Sequence, residues 1–90
     1  MRWSVGIEAE LGRITTREEI VELADAVAGI NGIATGIGTT HYGAQLIVEA
    51  TSQDEAIEQA TEQFRQAAAR ARLPAAPIAR TEAISEEDDG

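Results

Sequence analysis

Ninety residues with no cysteine can support one hydrophobic core, since chains this short bury only about 60–65% of their unfolded surface, and neither a disulfide framework nor a cysteine zinc site is open to them. Sixteen acids against seven arginines give a net charge of −9, and residues 1–85 hold twelve of those acids against the same seven arginines, or −5. Such a balance repels phosphate backbones and anionic lipid, which argues against nucleic-acid and membrane partners.

Residues 3–11 alternate, with Trp3, Val5, Ile7, Ala9 and Leu11 on one face and Ser4, Gly6, Glu8 and Glu10 on the other, the period of a half-buried strand. This pattern lacks the continuous apolar stretch of a signal peptide, and nowhere do about 18 apolar residues run together to span a bilayer. The expected location is a reducing cytoplasm. Next, Thr16-Arg17-Glu18-Glu19 has the form of a capping box. The apolar residues Ile20, Leu23, Ala24 and Val27 behind it follow helical spacing, and Gly29 with Asn31-Gly32 supplies the stop, so a helix is predicted over 17–28.

From Ile33 to Thr40, Ile33, Thr35, Ile37 and Thr39 alternate with Ala34, Gly36 and Gly38, which predicts a glycine-weakened strand at a sheet edge. His41-Tyr42-Gly43 then reads as the hairpin connection, in a mobile glycine-rich stretch. Residues 44–50, the most apolar run, predict a central third strand. Ser52-Gln53-Asp54-Glu55 is a second capping box opening a helix over 53–72, with an apolar stripe of Ala56, Ile57, Ala60, Phe64, Ala67, Ala68 and Ala71, ended by Leu73-Pro74. A last strand is predicted over Ile78–Ile84, and residues 85–90 are too charged and too poor in apolar groups to fold.

The order β-α-β-β-α-β, with crossovers long enough for parallel strands and a short link between strands two and three, predicts an α+β fold of the ferredoxin-like, split βαβ type. In that reading residues 1–84 form a single domain with a disordered acidic tail at 85–90. Right-handed crossovers place both helices on one face of a four-stranded antiparallel sheet in the order 4-1-3-2, and leave the other face open.

On that open face the pattern gathers Glu8 and Glu10 from the first strand, Glu49 with Gln45 or Ile47 from the third, and Arg80 and Glu82 from the fourth. Clustered carboxylates invite a cation, a basic ligand or an arginine-bearing partner, whereas a wetted antiparallel face with Arg2 and Arg80 offsetting the acids needs no ligand. His41 is the one side chain whose ordinary pKa lies near neutrality, so any acid–base chemistry begins there, with Tyr42 as a second donor. No nucleophile, metal set or cofactor motif accompanies them. Thr35-Gly36-Ile37-Gly38-Thr39-Thr40 is not a phosphate loop, because a hairpin and not a helix follows. Arg65, Arg70 and Arg72 are expected to complement the dipole of the second helix and to pair with Glu58 or Glu62.

The leading expectation is a non-catalytic module that binds a protein partner or a second copy of itself through the sheet face, where Ile47 or Ile37 is exposed, or through the edge of strand two. Two alternatives stand beside it. One is a small dimeric enzyme or ligand-binding subunit with a site near His41 and Tyr42; the other is an acidic partner-binding or nucleic-acid-mimic protein.

Overall fold

The computed structural model describes residues 1–36 and 38–85; the expected exposed Ile37 and the acidic tail from Glu86 onward lie outside them. Six elements follow in order: β1 (Arg2–Glu10), α1 (Arg17–Ala28), β2 (Gly32–Thr35), β3 (His41–Glu49), α2 (Gln53–Arg70) and β4 (Ile78–Ser85). The strands form one sheet in the order β2-β3-β1-β4, and every neighbouring pair is antiparallel. The protein is thus an α+β domain with β1 and β3 side by side at its centre. Ser85 closes β4, so the last strand runs one residue further than its sequence pattern suggested. Among the described residues no helix is long and apolar enough to cross a membrane.

The alternation in β1 becomes a division of labour between faces. Val5, Ile7 and Ala9 are buried, as are Tyr42, Ala44, Leu46 and Val48 of β3, and these meet Ile20, Leu23 and Val27 of α1 and Phe64 of α2. Burying each large apolar side chain contributes about 1.5–3 kcal/mol. Alanine supplies most of the face that α2 turns to the core, at Ala56, Ala60, Ala67 and Ala68, so the helix lies close to the sheet and Phe64 carries much of the packing. Its ring stacks on Tyr42 with centroids 5.6 Å apart.

Capping sets the helix ends. Thr16 Oγ1 accepts the Glu19 N–H at 3.1 Å, and Glu19 Oε1 accepts the Thr16 N–H at 2.8 Å, a complete capping box. At the start of α2 only half of the box forms. Ser52 Oγ accepts from the Glu55 N–H at 3.2 Å, but the Glu55 carboxylate turns to the Thr51 N–H at 2.8 Å. The far end of α2 closes with Arg72 in the left-handed region (φ 62°), the Leu73 N–H donating to the Ala68 carbonyl at 3.0 Å and the Arg72 N–H to Ala69 at 3.1 Å. These are the paired bonds of a Schellman ending.

The hairpin is displaced from its expected place. β2 ends at Thr35, and His41, Tyr42 and Gly43 are the first residues of the antiparallel β3. Gly36 takes φ 112°, and a Cβ there would lie 2.3 Å from the His41 carbonyl oxygen, so the reversal requires glycine at that point. Alternation of residue types carries no information about the sign of φ, which is why the strand pattern ran through the turn. Gly36, Thr39 and Thr40 are tied to the segment that precedes α1. Buried Thr15 donates its hydroxyl to the Gly36 carbonyl at 2.7 Å and its N–H to Thr39 at 2.8 Å, while the Leu11 N–H donates to Thr40 at 2.9 Å.

Candidate sheet-face site

The register of the three strand pairs determines which side chains share the open face. One row reads Ile33, Gln45, Gly6, Glu82 from β2 to β4; the next reads Thr35, Gly43, Glu8, Arg80. A third row brings Ile47, Ser4 and Ile84 together across β3, β1 and β4. All five charged residues singled out in the sequence, Glu8, Glu10, Glu49, Arg80 and Glu82, therefore lie on this face. Gln45 and Ile47 both belong to it as well.

The carboxylates are spread over the face and individually offset. Glu49 has the Arg2 guanidinium at 3.9 Å and the Met1 amino group at 3.6 Å, Glu82 has Arg80 at 3.7 Å, and Glu10 has His41 at 2.7 Å. Glu8 faces Arg80 across the β1–β4 ladder. Among the described residues no group of three metal-ligating side chains converges. The face carries mixed charge and no concentrated anion.

Between the charges the surface is shallow and partly apolar. A depression of about 200 Å3 crosses all four strands, bordered by Thr35, Gln45, Glu8, Arg80 and Glu82 and floored by Gly6. A side chain on Gly6 would meet open space, whereas on Gly43 a Cβ would lie 2.3 Å from the Ile7 carbonyl oxygen; β1 and β3 approach closely at that point and only glycine fits. Beside the depression Gln45 Nε2 donates to Ser4 Oγ at 2.8 Å. Ile33 is 72% exposed and Ile84 56%, and Ile47 is half-buried.

His41 and Tyr42 part company. Consecutive residues of a strand point to opposite faces, so His41 joins Glu10 on the open side while Tyr42 enters the core, where its hydroxyl donates to the Pro74 carbonyl at 3.0 Å. Burial raises the Tyr42 phenol above its ordinary value, and Arg65 acts in the opposite direction. Tyr42 is thus a packing residue with a satisfied hydroxyl and takes no part beside His41. His41 gains the carboxylate partner that sequence spacing did not reveal, because Glu10 and His41 are the terminal register pair of β1 and β3. Glu10 Oε2 also accepts the Gly12 N–H at 3.1 Å, which orients the carboxylate. Thr40 Oγ1 lies 3.4 Å from His41 Nδ1, long for a hydroxyl hydrogen bond.

Ile33 and Ile84, absent from the open-face set expected from sequence, make the face apolar at both edge strands. Their phase was available in principle, since each lies an even number of residues from an open-face position, Ile33 from Thr35 and Ile84 from Glu82 and Arg80. No family model, no curated protein and no solved structure matches the chain, so the functional reading rests on its own residues.

Proposed function

We propose that this protein is a non-catalytic interaction module that pairs with a second copy of itself, open sheet face against open sheet face, on a ferredoxin-like split βαβ scaffold. The element order β-α-β-β-α-β with strand order β2-β3-β1-β4 supports the scaffold, since read from β4 the same order is 4-1-3-2. The observation that carries the pairing is the set Ile33, Ile47 and Ile84 standing on the solvent side of the sheet. Solvent-facing isoleucines on both edge strands and on central β3 gain about 25 cal/mol per Å2 of apolar area when covered. Strands about 4.8 Å apart that rise about 3.3 Å per residue give a face roughly 20 Å by 30 Å. That footprint, at most about 600 Å2 because β2 is only four residues long, reaches the lower end of ordinary interfaces, about 600–1,000 Å2 per partner.

A second copy suits the face better than a basic partner. Two of its four carboxylates, Glu49 and Glu82, already have cationic neighbours and Glu10 is held by the His41 imidazole, so the like-charge barrier between two such faces is reduced and little anion is left to recruit a cation. Cytoplasmic residence is part of the same proposal, on the absence of cysteine. Sedimentation velocity over a concentration series tests the pairing: the wild type shifts from monomer to dimer, and the double variant Ile33→Glu/Ile84→Glu stays monomeric with an unchanged circular dichroism spectrum. A wild type that remains monomeric at millimolar concentration, or a double variant that still dimerises, rejects the reading.

A second reading has one observation in its favour. The Glu10–His41 contact of 2.7 Å orients an imidazole at the rim of the same face, the arrangement used by general bases. In this reading the protein is a small enzyme or ligand-binding subunit with His41 at the site and without Tyr42. His41→Ala leaving every measured binding event or activity intact removes it.

A further inference from the structure

Another concavity lies away from the sheet face, where the C-terminal half of α2 meets the linker between α2 and β4. It has a volume of about 260 Å3, and Tyr42, Phe64, Leu73 and Pro74 form its apolar wall. The space exists because the surrounding positions are small: Ala68, Ala69, Ala75 and Ala76 line it, where larger side chains would close the gap between helix and linker. The walls are held in place. Phe64 and Tyr42 are stacked, the Tyr42 hydroxyl is bonded to the Pro74 carbonyl, and Leu73 is anchored by its N–H to Ala68.

One charged side chain borders this pocket, Arg65. The expected ion pairs of Arg65, Arg70 and Arg72 with Glu58 or Glu62 are not formed, and among the described residues Arg65 has no carboxylate within ion-pair distance, whereas Arg2, Arg13 and Arg80 each have one. Arg65 lines the pocket together with Tyr42, and its positive charge opposes the effect of burial on the phenol. A preformed apolar cavity with a few polar groups at its mouth is the general form of a small-molecule site, and a planar guanidinium with five donors matches a carboxylate better than any other anchor.

We propose that this pocket binds a small organic acid, one aromatic ring or a short aliphatic chain bearing a carboxylate, with the apolar part against Phe64, Tyr42 and Leu73 and the carboxylate on Arg65. The pocket faces away from the proposed pairing surface, so the two ideas stand or fall separately. The volume lies just below the usual range for drug-sized ligands, about 300–1,000 Å3, which limits the ligand to a single ring or its equivalent. The charge of the rest of the molecule sharpens the choice: in a chain of net charge −9, an anion is attracted only where a cation stands unneutralised.

Titrating the full chain with phenylacetate while following amide resonances tests the assignment. Saturable shifts are expected at Ala68, Ala69, Leu73, Ala75 and Ala76, with none at Gly6 or Gln45 on the sheet face. The neutral isostere phenylacetamide binds about tenfold more weakly, as does phenylacetate to Arg65→Gln, since a charge-assisted bond of about 1.4 kcal/mol corresponds to that factor. Ala69→Leu, at an exposed helix position, fills the mouth and abolishes the shifts, and Ala75→Leu on the opposite rim does the same if the first variant alters the helix. Shifts that do not saturate or that scatter over the surface overturn the proposal. So does equal affinity for phenylacetate and phenylacetamide, or binding by both leucine variants.

Discussion

The two faces of the sheet are built from the same strands and differ in what each alternate residue is asked to do. On the helix-covered side Val5, Ile7, Leu46 and Val48 are at most 4% exposed, and every one is packed between sheet and helix. On the other side glycine, serine, glutamine and single charges separate the isoleucines, and one glycine floors an open depression. Stability is thus concentrated on one face. Apart from Gly43, whose Cβ would meet the Ile7 carbonyl, the other is left free to change with little effect on folding, which is the condition for a surface that serves association.

Substitutions that break this comparison most severely lie in the core. Phe64→Ala removes the one large side chain that α2 buries fully, beside the partly buried Ile57, and the stacking partner of Tyr42; a loss of about 3–5 kcal/mol is expected from urea denaturation. That is a large share of the roughly 5–15 kcal/mol that holds a small domain together. Leu46→Ala, at 0% exposure, is expected to lose about 2–5 kcal/mol.

A finer contrast lies within the open face itself. Gly43→Ala drives a methyl group against the Ile7 carbonyl and is expected to destabilise by about 1–3 kcal/mol, whereas Gly6→Ala meets open space and stabilises by up to about 1 kcal/mol by removing glycine from a strand interior. Thermal melts of the two variants, moving in opposite directions, separate close backbone approach from mere smallness of side chain.

Outside the sheet, the capping box of α1 gives an intermediate effect. Thr16→Ala is expected to lose about 1 kcal/mol. The hydrogen bond from Arg13, aided by the Thr16 N–H, holds the Glu19 carboxyl at about 2 against an ordinary 4.5. The folded form therefore gains from the ionised carboxylate at every pH above 4.5, and that gain is lost as pH falls from 4.5 toward 2. Arg13→Gln, which removes the larger of the two bonds, should flatten this acid limb in a plot of stability against pH. The smallest folding effect is expected for Ile33→Glu and Ile84→Glu, each within about 0.5 kcal/mol of wild type, although together they are expected to abolish the proposed pairing.

The legible parts of this protein were those whose signal is local. Thr16 and Glu19 mark the start of α1 and Gly29 to Gly32 its end, and the helix occupies Arg17–Ala28, as the spacing predicts. The alternation of β1 and the central placing of β1 and β3 were equally readable. What escaped depends on longer range or on φ. Gly36 reverses the chain five residues before the expected hairpin, which moves His41 and Tyr42 into a strand and onto opposite faces. The Glu10–His41 pair depends on the β1–β3 register, which no spacing within either strand reveals. Competition between Thr51 and Ser52 for the Glu55 carboxylate undid the second capping box, because both precede the helix and both offer an N–H. The open-face residues themselves were largely legible, but the offsetting of each acid by a neighbour across or along a strand was not.

The claim that the open face is a pairing surface is tested most directly by following backbone amide resonances of the wild type through a dilution series from millimolar to micromolar concentration. Ser4, Gly6, Gln45, Ile47 and Ile84 are predicted to shift together along one binding curve while Ile20, Leu23 and Phe64 stay fixed. Shifts confined to the helices, or no concentration dependence anywhere, contradict it.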